Sequence, residues 1–525
     1  MTSPTTEHDD LARLIAETWA EVLGIATVDR GQGFFTDLGG TSLTAARVLA
    51  LLRKRTHHRV RLDAVLRNPT PELLAAELAG NAVTRDAPPA TTQAGPSPVL
   101  LPGQHWFYRS VTQERQNFTI ETLLRLPAET DPDRLDRAVT QLMSRHQALR
   151  SQIRYTDGTW TTALMPGAGV VRLVHTPVHD GGDPVDQVND EAFLARAWLE
   201  PADGRVFAVT HLTGPPTGAD FLLLVVHHSV CDGFGFSILV DDLRRLFSAA
   251  DGKDPHPAPL GALWWAERLA TYARSAESLP ERKFWREQQP PGASPLLRPT
   301  PVSAGGAVEI AQRLTQREST GLETAAERHA VSVNALILAC VTESYAPATG
   351  REGLVISSTY HGRDVTFDGQ SCAESVGYFS YAVPHVISRA KGGIAKTARQ
   401  IVRETSGLPM RGVGNLLFAY GQSDDAEAER ACLLLRERTV ITVNFRADIE
   451  LAEPGSLWPE AELQPGLPPQ VPRSSRLRLM VNRNEAGALW FSWSVNRDYF
   501  LPQSTDLLLT GFHEVIRQVA RSGGA

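Results

Sequence analysis

The clearest hydrophobic pattern in the chain is a continuous apolar run that ends in a short polar loop. The run occupies residues 221–226, Phe-Leu-Leu-Leu-Val-Val, and such an unbroken stretch is typical of a strand buried on both faces. Downstream, apolar residues recur at helical spacing at Phe236, Leu239, Val240, Leu243 and Phe247. A helix is therefore predicted after the turn at 233–235, and residues 227–233 form a tight loop between the strand and the helix.

This loop carries the candidate chemistry. It contains two adjacent histidines, His227 and His228, followed by Asp232 and Gly233. Imidazole titrates near neutral pH, so a histidine in such a loop is suited to proton transfer. A single histidine is more often a packed core residue. Two histidines, an aspartate and a glycine at the end of a buried strand favour an active site.

The first 82 residues show the pattern of a small helical bundle with a modest core. Helices are predicted over residues 8–24, 42–52 and 61–66, and a fourth begins at Thr70. Thr70 is suited to be an N-cap, and the proline that follows it suits the first helical turn. Residues 83–98 contain four prolines and no hydrophobic periodicity, which predicts an extended linker.

From residue 99 onward the pattern alternates between strands and helices, which predicts an α/β domain. A Pro- and Gly-rich segment at 286–306 interrupts this pattern, so two subdomains are expected, 99–285 and 286–525. The predicted strands are 118–126, 151–154, 159–164, 221–226, 354–358, 440–445 and 491–495. The predicted helices are 131–146, 236–249, 322–330, one around 336–338, and 504–519.

Composition narrows the function classes. The chain has 525 residues, with 52 Lys+Arg against 59 Asp+Glu, so it lacks the basic excess of a nucleic-acid-binding protein. Its four cysteines show no CxxC spacing, which favours a reducing compartment and no metal site. The N-terminus has no charged-then-apolar signal, and no apolar run reaches membrane-spanning length. We expect a monomeric cytoplasmic protein without nucleic-acid or membrane partners.

Five short motifs follow one another between residues 101 and 379. They are LPGQHWF at 101–107, SRHQALR at 144–150, HHSVCDG at 227–233, GR at 362–363 and VGYF at 376–379. In this order they resemble the motifs of nonribosomal peptide synthetase condensation domains and their chloramphenicol-acetyltransferase-like relatives. The resemblance covers residues 99–525 and implies two acetyltransferase-like halves in a V, with His228 between them. The chain departs from the family at Gly235, where serine is usual, and at Tyr381, where asparagine is usual.

The resemblance assigns catalysis to His228 and leaves His227 and Gly233 as supporting residues. It implies that Asp232 shapes the loop through an ion pair with Arg363, although an aspartate here is also a general-acid candidate. The remaining candidates have lesser roles: structural positions at Arg145, His146 and Arg150, a small buried filler at Cys231, and either a tunnel or a plain loop position at His361.

Residues 37–43, Asp-Leu-Gly-Gly-Thr-Ser-Leu, are similar to the attachment motif of peptidyl carrier proteins. In that family the serine, here Ser42, receives 4′-phosphopantetheine. Gly39 and Gly40 leave the approach to the serine open, and the N-terminus of the predicted helix favours the charge of a phosphodiester. The alternative is that Ser42 is only an N-cap.

Together the two resemblances imply an all-α four-helix carrier bundle (1–82) joined to an α/β condensation domain. An acyl or aminoacyl thioester on Ser42 would be attacked by an amine, or by a hydroxyl, while His228 takes the proton or orients the nucleophile. The implied partners are a phosphopantetheinyl transferase, an adenylation domain or another loading enzyme in trans, and an acceptor. The acceptor would be a separate carrier protein or a free small-molecule nucleophile.

Three related functions of the same family have to be weighed against this interpretation. An epimerisation domain shares the fold and the two histidines but needs a second acid/base, usually a glutamate, and none is evident near Glu374. A non-catalytic recruitment domain would be expected to lack His228 or Asp232, and both are present. A heterocyclisation domain would replace the two histidines with aspartates, so that class is excluded.

Overall fold

The computed structural model places a small helical bundle before a larger α/β unit with two main sheets. It describes residues 4–23, 25, 27–34, 38, 48, 51–52, 55–56, 64–65, 68–79 and 96–523, the last range with gaps at 113, 128, 179–183, 215–219, 250–257, 299–306, 364, 368–369, 447–476 and 485–486. The predicted attachment residue Ser42 and almost all of the predicted linker lie outside the described residues.

The first helix of the bundle, Pro4–Leu23, forms where amphipathic spacing predicts it. Its inward residues include Leu11, Ile15 and Trp19, which are buried. The indole of Trp19 meets the ring of Phe34 edge-on, with centroids 4.7 Å apart. The ring pair of Trp19 and Phe34 is therefore part of this small core.

The second described helix of the bundle, Pro71–Leu78, begins at the predicted position. The side chain of Thr70 caps it by accepting a hydrogen bond from the N–H of Leu73 at 3.3 Å. Residues 48, 51–52, 55 and 64–65 are helical as well. Other parts of the predicted second and third helices lie outside the described residues.

The described residues of the α/β unit form the following elements. The helices are Pro102–Ser110, Pro132–Arg145, Pro184–Trp198, Gly233–Ser248, Ala262–Arg274, Leu279–Arg286, Gln316–Arg328, Val333–Thr349, Ile394–Ser406, Gly414–Ala419, Ala426–Arg438 and Pro502–Gly523. The strands are β1 (Thr119–Leu126), β2 (Ser151–Thr156), β3 (Thr159–Leu164), β4 (Val170–Pro177), β5 (Arg205–Thr213), β6 (Asp220–His227), β7 (Ala307–Arg313), β8 (Gly353–Tyr360), β9 (Thr366–Phe367), β10 (Gln370–Ser371), β11 (Tyr381–Ser388), β12 (Thr439–Phe445), β13 (Leu477–Arg483) and β14 (Leu489–Asn496).

The sheet of the first half has the order β1-β6-β5-β4. Its inner strand β6 is antiparallel to both β1 and β5, and β4 runs parallel to β5. Leu222 and Val226 of β6 pack into one hydrophobic cluster, while Leu223 and Val225 pack into another that includes residues of helix Pro184–Trp198. The prediction of a strand buried on both faces is therefore confirmed.

The sheet of the second half has the order β11-β8-β12-β13-β14-β7. Strands β8, β12 and β13 run parallel, so their C-terminal ends meet at one edge of the sheet. The GR motif begins two residues after the end of β8, and Arg446 directly follows the end of β12. The GR motif and Arg446, which are far apart in the sequence, therefore lie at the same edge of the sheet.

A third hydrophobic cluster joins the two halves. It contains residues of helix Ala262–Arg274, such as Trp265, together with Phe379 and Leu416 of the second half. Helix Leu279–Arg286 also contributes to this cluster. The subdomain boundary near residue 285 stays a prediction, because these helices pack against both sides of it.

The structure corrects one prediction at the loop of residues 227–233. The helix was expected to follow the turn at 233–235, but it begins at Gly233, so that turn is the first turn of the helix. The cause is Asp232, whose side chain accepts a hydrogen bond from the N–H of Gly235 at 2.7 Å and caps the helix.

Several strands were not predicted. Strand β4 is largely half-exposed and shows no clean alternation, and β11 contains Pro384, a residue that is confined to edge strands. β11 does lie at an edge of its sheet.

Within the described residues, no single helix is long and apolar enough to cross a membrane, and two consecutive helices meet that test only as a pair bent by 99°.

Candidate active site

The candidate site is built on the loop between β6 and helix Gly233–Ser248. The backbone N–H of His228 donates to the carbonyl of Phe118 at 2.7 Å, which ties the start of the loop to β1. At its other end, Asp232 caps the helix through the N–H of Gly235. The loop is therefore held by the sheet on one side and by a helix N-terminus on the other.

Asp232 is buried, and its carboxylate accepts four hydrogen bonds. Two come from the guanidinium of Arg363 at 2.9 Å each, one from the N–H of Gly235 at 2.7 Å and one from the N–H of Ser380 at 2.8 Å. A carboxylate offers about four lone-pair positions, so no acceptor position is left for a substrate proton. The expected ion pair is present, and its geometry favours a positioning role over acid catalysis.

Arg363 is fully buried and joins the two halves of the α/β unit. Its guanidinium lies 4.7 Å from the ring centroids of both Phe234 and Phe379. It also donates to the carbonyl of Ser375 at 3.2 Å. The carboxylate partner and one of the rings come from the first half, whereas the arginine and the other ring come from the second.

His227 is buried, and both of its ring nitrogens are engaged. Nδ1 accepts a hydrogen bond from the N–H of Ser229 at 3.1 Å, which leaves Nε2 to donate to the carbonyl of Arg115 at 2.9 Å. Burial lowers the pKa of His227 to about 3. A neutral imidazole with no free nitrogen fits the supporting role predicted for this residue.

His228 is partly exposed, and two aromatic rings hold its imidazole. The ring centroid of Phe118 lies 4.5 Å away in a stacked arrangement, and that of Tyr378 lies 4.6 Å away. Burial lowers the pKa of His228 to about 4; Asp232 opposes this shift, and Arg446 adds to it. The imidazole is therefore neutral at pH 7, the form that accepts a proton.

Two other motifs fix the loop and its helix. The side chain of Gln104, from the motif at 101–107, donates to the carbonyl of Ser229 at 2.9 Å. Arg145 and His146 lie 2.8 and 2.9 Å from Asp242, which belongs to the helix that Asp232 caps. The contacts of Arg145 and His146 are of the structural kind expected for them, whereas no role was predicted for the motif at 101–107.

Three further residues that the sequence singled out have surroundings that favour structural positions. Cys231 is buried, as predicted, and burial raises the pKa of its thiol well above the usual value. Nδ1 of His361 accepts the backbone N–H of Arg363 at 3.1 Å, which favours the plain loop position. The hydroxyl of Tyr381 donates to the carbonyl of Arg411 at 3.2 Å.

Sequence reasoning missed the two rings that contact the imidazole, Phe118 and Tyr378. It also missed Ser380, whose N–H donates to Asp232, and Arg446, whose charge lowers the pKa of His228. Phe118 directly precedes a predicted strand, and Tyr378 occupies the variable position of the VGYF motif. Both positions can be read from the sequence, but neither position indicates that the residue contacts His228. The contacts arise only when β1 pairs with β6 and the two halves close on each other.

The hydrophobic core of the carrier bundle reaches the active-site loop. Ala373, which is 1% exposed, belongs to the same cluster as Trp19, and Phe234 packs against that cluster. Leu38, the described residue of the motif at 37–43, packs against it too. Leu38 and Phe234 therefore pack against the same cluster of buried residues.

Comparison with known protein families agrees with this arrangement. A family described as the condensation domain matches residues 98–407, and one described as the phosphopantetheine attachment site matches residues 13–78. The chain is 25% identical over 439 residues to a protein of the linear gramicidin synthase of Brevibacillus parabrevis, covering 81% of the chain and 8% of that protein. It is 25% identical over 525 residues to chondramide synthase cmdD of Chondromyces crocatus, covering 96% of the chain and 13% of that protein. The chain thus spans only a small part of these relatives.

Solved structures with the same fold include three natural-product biosynthesis domains, each 18% identical to the chain. They are the epimerization domain from the third module of tyrocidine synthetase B (TM-score 0.66, covering 81% of this chain and 97% of that one), the X-domain from teicoplanin biosynthesis (0.64, 84% and 98%) and the condensation domain for chain release from the enacyloxin polyketide synthase (0.62, 90% and 96%). At this identity the likeness establishes the fold.

Proposed function

Because the chain belongs to the condensation-domain family, we propose that it transfers an acyl, aminoacyl or peptidyl group from a phosphopantetheine thioester on Ser42 to an acceptor amine, or to a hydroxyl. The predicted pairing of a peptidyl carrier domain with a condensation domain of nonribosomal peptide synthetases is confirmed by the two family matches. The carrier match also indicates covalently attached 4′-phosphopantetheine, which supplies the thioester.

The observation that carries this proposal is the state of His228. Its imidazole is neutral, and the ring contacts the aromatic rings of Phe118 and Tyr378. Its Nδ1 is buried without a hydrogen-bond partner among the described residues. Nε2 is then the nitrogen available to a substrate. Such a group suits acceptance of a proton from an attacking amine.

In the proposed reaction, His228 takes the proton of the amine as nitrogen bonds to the acyl carbon. The carbon–sulfur bond breaks, and the proton passes from His228 to the departing thiolate, so the imidazole is neutral again at the end. Asp232 and Arg363 hold the loop and take no proton, because the carboxylate is saturated with hydrogen bonds. A thioester is already activated, so positioning supplies much of the rate.

The partners follow from what the reaction needs. A phosphopantetheinyl transferase would modify Ser42, and an adenylation domain or another loading enzyme would supply the acyl group in trans. The acceptor would be carried by a second carrier protein or would arrive as a free small-molecule nucleophile. The carrier core that extends onto Ala373 and Phe234 supports delivery of the donor by the chain's own carrier.

Epimerisation of the carrier-bound aminoacyl group is the second candidate, because one structure with the same fold is an epimerization domain. That reaction needs two acid/base groups. Among the described residues, the carboxylate that acts on the pKa of His228 is Asp232, and its lone pairs are occupied. This arrangement favours acyl transfer over epimerisation.

The test is intact-protein mass spectrometry on chain treated with a phosphopantetheinyl transferase and L-alanyl-coenzyme A. Ser42 should gain the alanyl-phosphopantetheine mass, and Ser42→Ala should stay unmodified while it stays folded, since a lost N-cap costs about 1 kcal/mol. The loaded chain is then offered a glycyl-carrier protein, free amines and free alcohols. His228→Ala, which should slow transfer by roughly 10²–10⁴-fold, is the control.

The outcomes separate the functions. Loss of the alanyl group to an acceptor, dependent on His228, supports the proposal. Conversion of L-alanyl to D-alanyl without transfer supports epimerisation instead. Modification at another serine removes the carrier assignment, and retention of the L-alanyl group with every acceptor favours a recruitment domain.

A further inference from the structure

Tyr378 lies against the candidate catalytic histidine but has no role in the mechanism described so far. Its ring centroid is 4.6 Å from that of His228, and the side chain is 7% exposed. It occupies the variable position of the VGYF motif, between Gly377 and Phe379. A buried phenol beside a reacting imidazole is a candidate for contact with the substrate.

The backbone on both sides of Tyr378 is bound to Asp232. The carbonyl of Gly377 accepts the N–H of Asp232 at 3.1 Å, and the N–H of Ser380 donates to its carboxylate at 2.8 Å. The ring is confined as well, because a Cβ on Gly103 would lie 2.5 Å from it. The position of Tyr378 relative to His228 is therefore fixed by Asp232, through both its backbone N–H and its carboxylate.

The hydroxyl of Tyr378 makes no hydrogen bond to any described residue. Other buried tyrosines of the same half use theirs within the protein: Tyr345 with Ser294 at 2.8 Å and Tyr381 with the carbonyl of Arg411 at 3.2 Å. The hydroxyl is not fully enclosed, so a water or a ligand can reach this donor. Burial also raises the pKa of Tyr378 above its usual value, so the hydroxyl keeps its proton and can donate.

We propose that the Tyr378 hydroxyl donates a hydrogen bond to the carbonyl oxygen of the carrier-bound acyl group, an inference that rests on the proposed acyl transfer. As the nucleophile adds to the carbonyl carbon, negative charge develops on this oxygen, and a fixed donor stabilises it. Tyr378 keeps its proton throughout, and His228 alone carries the proton from the amine to the thiolate. The two residues would thus act on different atoms of the same thioester.

The first test compares Tyr378→Phe with Tyr381→Phe, which removes a hydroxyl from the same segment whose partner lies inside the protein. In single-turnover transfer from the alanyl-loaded chain at saturating acceptor, Tyr378→Phe should be slower by roughly 10²–10³-fold, the usual loss for one such donor. The acceptor KM should not change. Tyr381→Phe should keep the wild-type rate.

The second test does not depend on turnover. The chain is loaded with [1-¹³C]acetyl-phosphopantetheine, and the carbonyl ¹³C chemical shift is measured. A hydrogen bond to the oxygen moves this resonance downfield from its position in free acetyl-coenzyme A. The displacement should be lost in Tyr378→Phe and kept in Tyr381→Phe and His228→Ala.

An unchanged carbonyl shift in Tyr378→Phe would overturn the inference, and so would a higher acceptor KM with an unchanged maximal rate, which would put the hydroxyl on the acceptor. Failure of the proposed function has a different signature: no transfer by wild type, with a carbonyl shift that still depends on Tyr378. A third outcome would make Tyr378 a structural residue. In that case Tyr378→Phe loses thermal stability, and the displacement of the carbonyl resonance is lost equally in Tyr378→Phe and Tyr381→Phe.

Discussion

At the scale of single residues, the hydrogen bonds that each side chain has already made decide what it can still do. The carboxylate of Asp232 accepts four hydrogen bonds, and both ring nitrogens of His227 are hydrogen-bonded. Neither side chain therefore has a donor or acceptor left for a substrate. His228 and Tyr378 are held by ring contacts instead. The polar atoms of these last two are the ones open to chemistry.

The low pKa of His228 predicts the pH dependence of the reaction. A histidine with a pKa of about 4 is a neutral base at all higher pH values, so the rate per unprotonated acceptor amine should be flat between about pH 5 and pH 8 and fall only as pH drops through 4. Single-turnover transfer measured across this range checks the prediction. An inflection near pH 6.5, where an ordinary imidazole titrates, would contradict it.

The buried pair of Asp232 and Arg363 predicts a loss of stability that His228 does not share. Removing one partner strands the other charge, so Asp232→Ala and Arg363→Ala should each lower the free energy of unfolding by about 3–5 kcal/mol. The double variant should lose less than the two losses summed. Denaturant unfolding measures all three, with His228→Ala as the control that keeps its stability.

Asp232→Asn distinguishes the two roles considered for this residue. If the carboxylate only positions the loop, the amide should weaken the pair and reduce both stability and transfer. Full stability together with abolished transfer and a shifted pH profile would make Asp232 an acid/base participant.

At the scale of elements, the sequence is most informative where local pattern and tertiary burial agree. The apolar run of β6 predicts its strand because both faces of that strand are buried, and the Thr70-Pro71 pair predicts a helix start because the cap is local. Strand β4 is half-exposed and β11 contains a proline, so their pairing is set by neighbouring strands. Their existence could not be read from periodicity.

The same limit applies to the candidate site. The motifs name His228, Asp232 and Arg363 because those residue types recur together in a known family. Phe118 and Tyr378 contact the imidazole from segments about 110 residues before and 150 residues after it, as the numbering shows. Contacts of this kind depend on how the two sheets come together, which no local pattern encodes.

Helix Leu279–Arg286, which contributes to the hydrophobic cluster between the two halves, carries a buried carboxyl group with a raised pKa. Glu281, on helix Leu279–Arg286, accepts hydrogen bonds from the hydroxyl of Tyr272 at 2.7 Å, the indole of Trp285 at 3.2 Å and the N–H of Gly414 at 3.0 Å. Burial raises its pKa to about 7 in spite of these donors. The folded protein therefore binds a proton here at pH values where the unfolded chain has released it.

This proton predicts that the protein loses stability as pH rises. An unfolded glutamate titrates near about 4.3, so the contribution of Glu281 is greatest below that pH and is lost as pH rises through 7, by up to about 3 kcal/mol. Glu281→Gln should flatten the dependence of the unfolding free energy on pH between about 5 and 8. Glu277 is an exposed residue nearby, and Glu277→Gln should leave the pH dependence of the unfolding free energy as in wild type. An unchanged pH dependence in Glu281→Gln would contradict the prediction.

At the scale of the whole molecule, the described contacts connect three bodies at one loop. The ion pair of Asp232 and Arg363 ties the first half of the α/β unit to the second. Phe234, two residues further on, touches that arginine on one side and the carrier cluster on the other. The position of the carrier and the shape of the catalytic loop are therefore physically linked.

This link predicts that Ala373→Glu separates the delivery of the donor from the chemistry. Ala373 is 1% exposed within the carrier cluster, and a carboxylate buried there without a partner would push the bundle away. Transfer from the chain's own loaded carrier should slow at least about tenfold, because a carrier held on this surface reacts at a high effective concentration. His228-dependent transfer from a small soluble donor, an alanyl N-acetylcysteamine thioester, should keep its wild-type rate.

Leu507→Glu is the matched control, since Leu507 is 62% exposed on the C-terminal helix and lies outside the carrier cluster. It adds the same charge and should leave both reactions unchanged. If Ala373→Glu slows both donors equally, the substitution has damaged the catalytic loop itself, and the contact is structural. If it slows neither donor, the carrier delivers its thioester through a different surface, and the cluster that joins Trp19 to Ala373 belongs to a resting arrangement of the two domains.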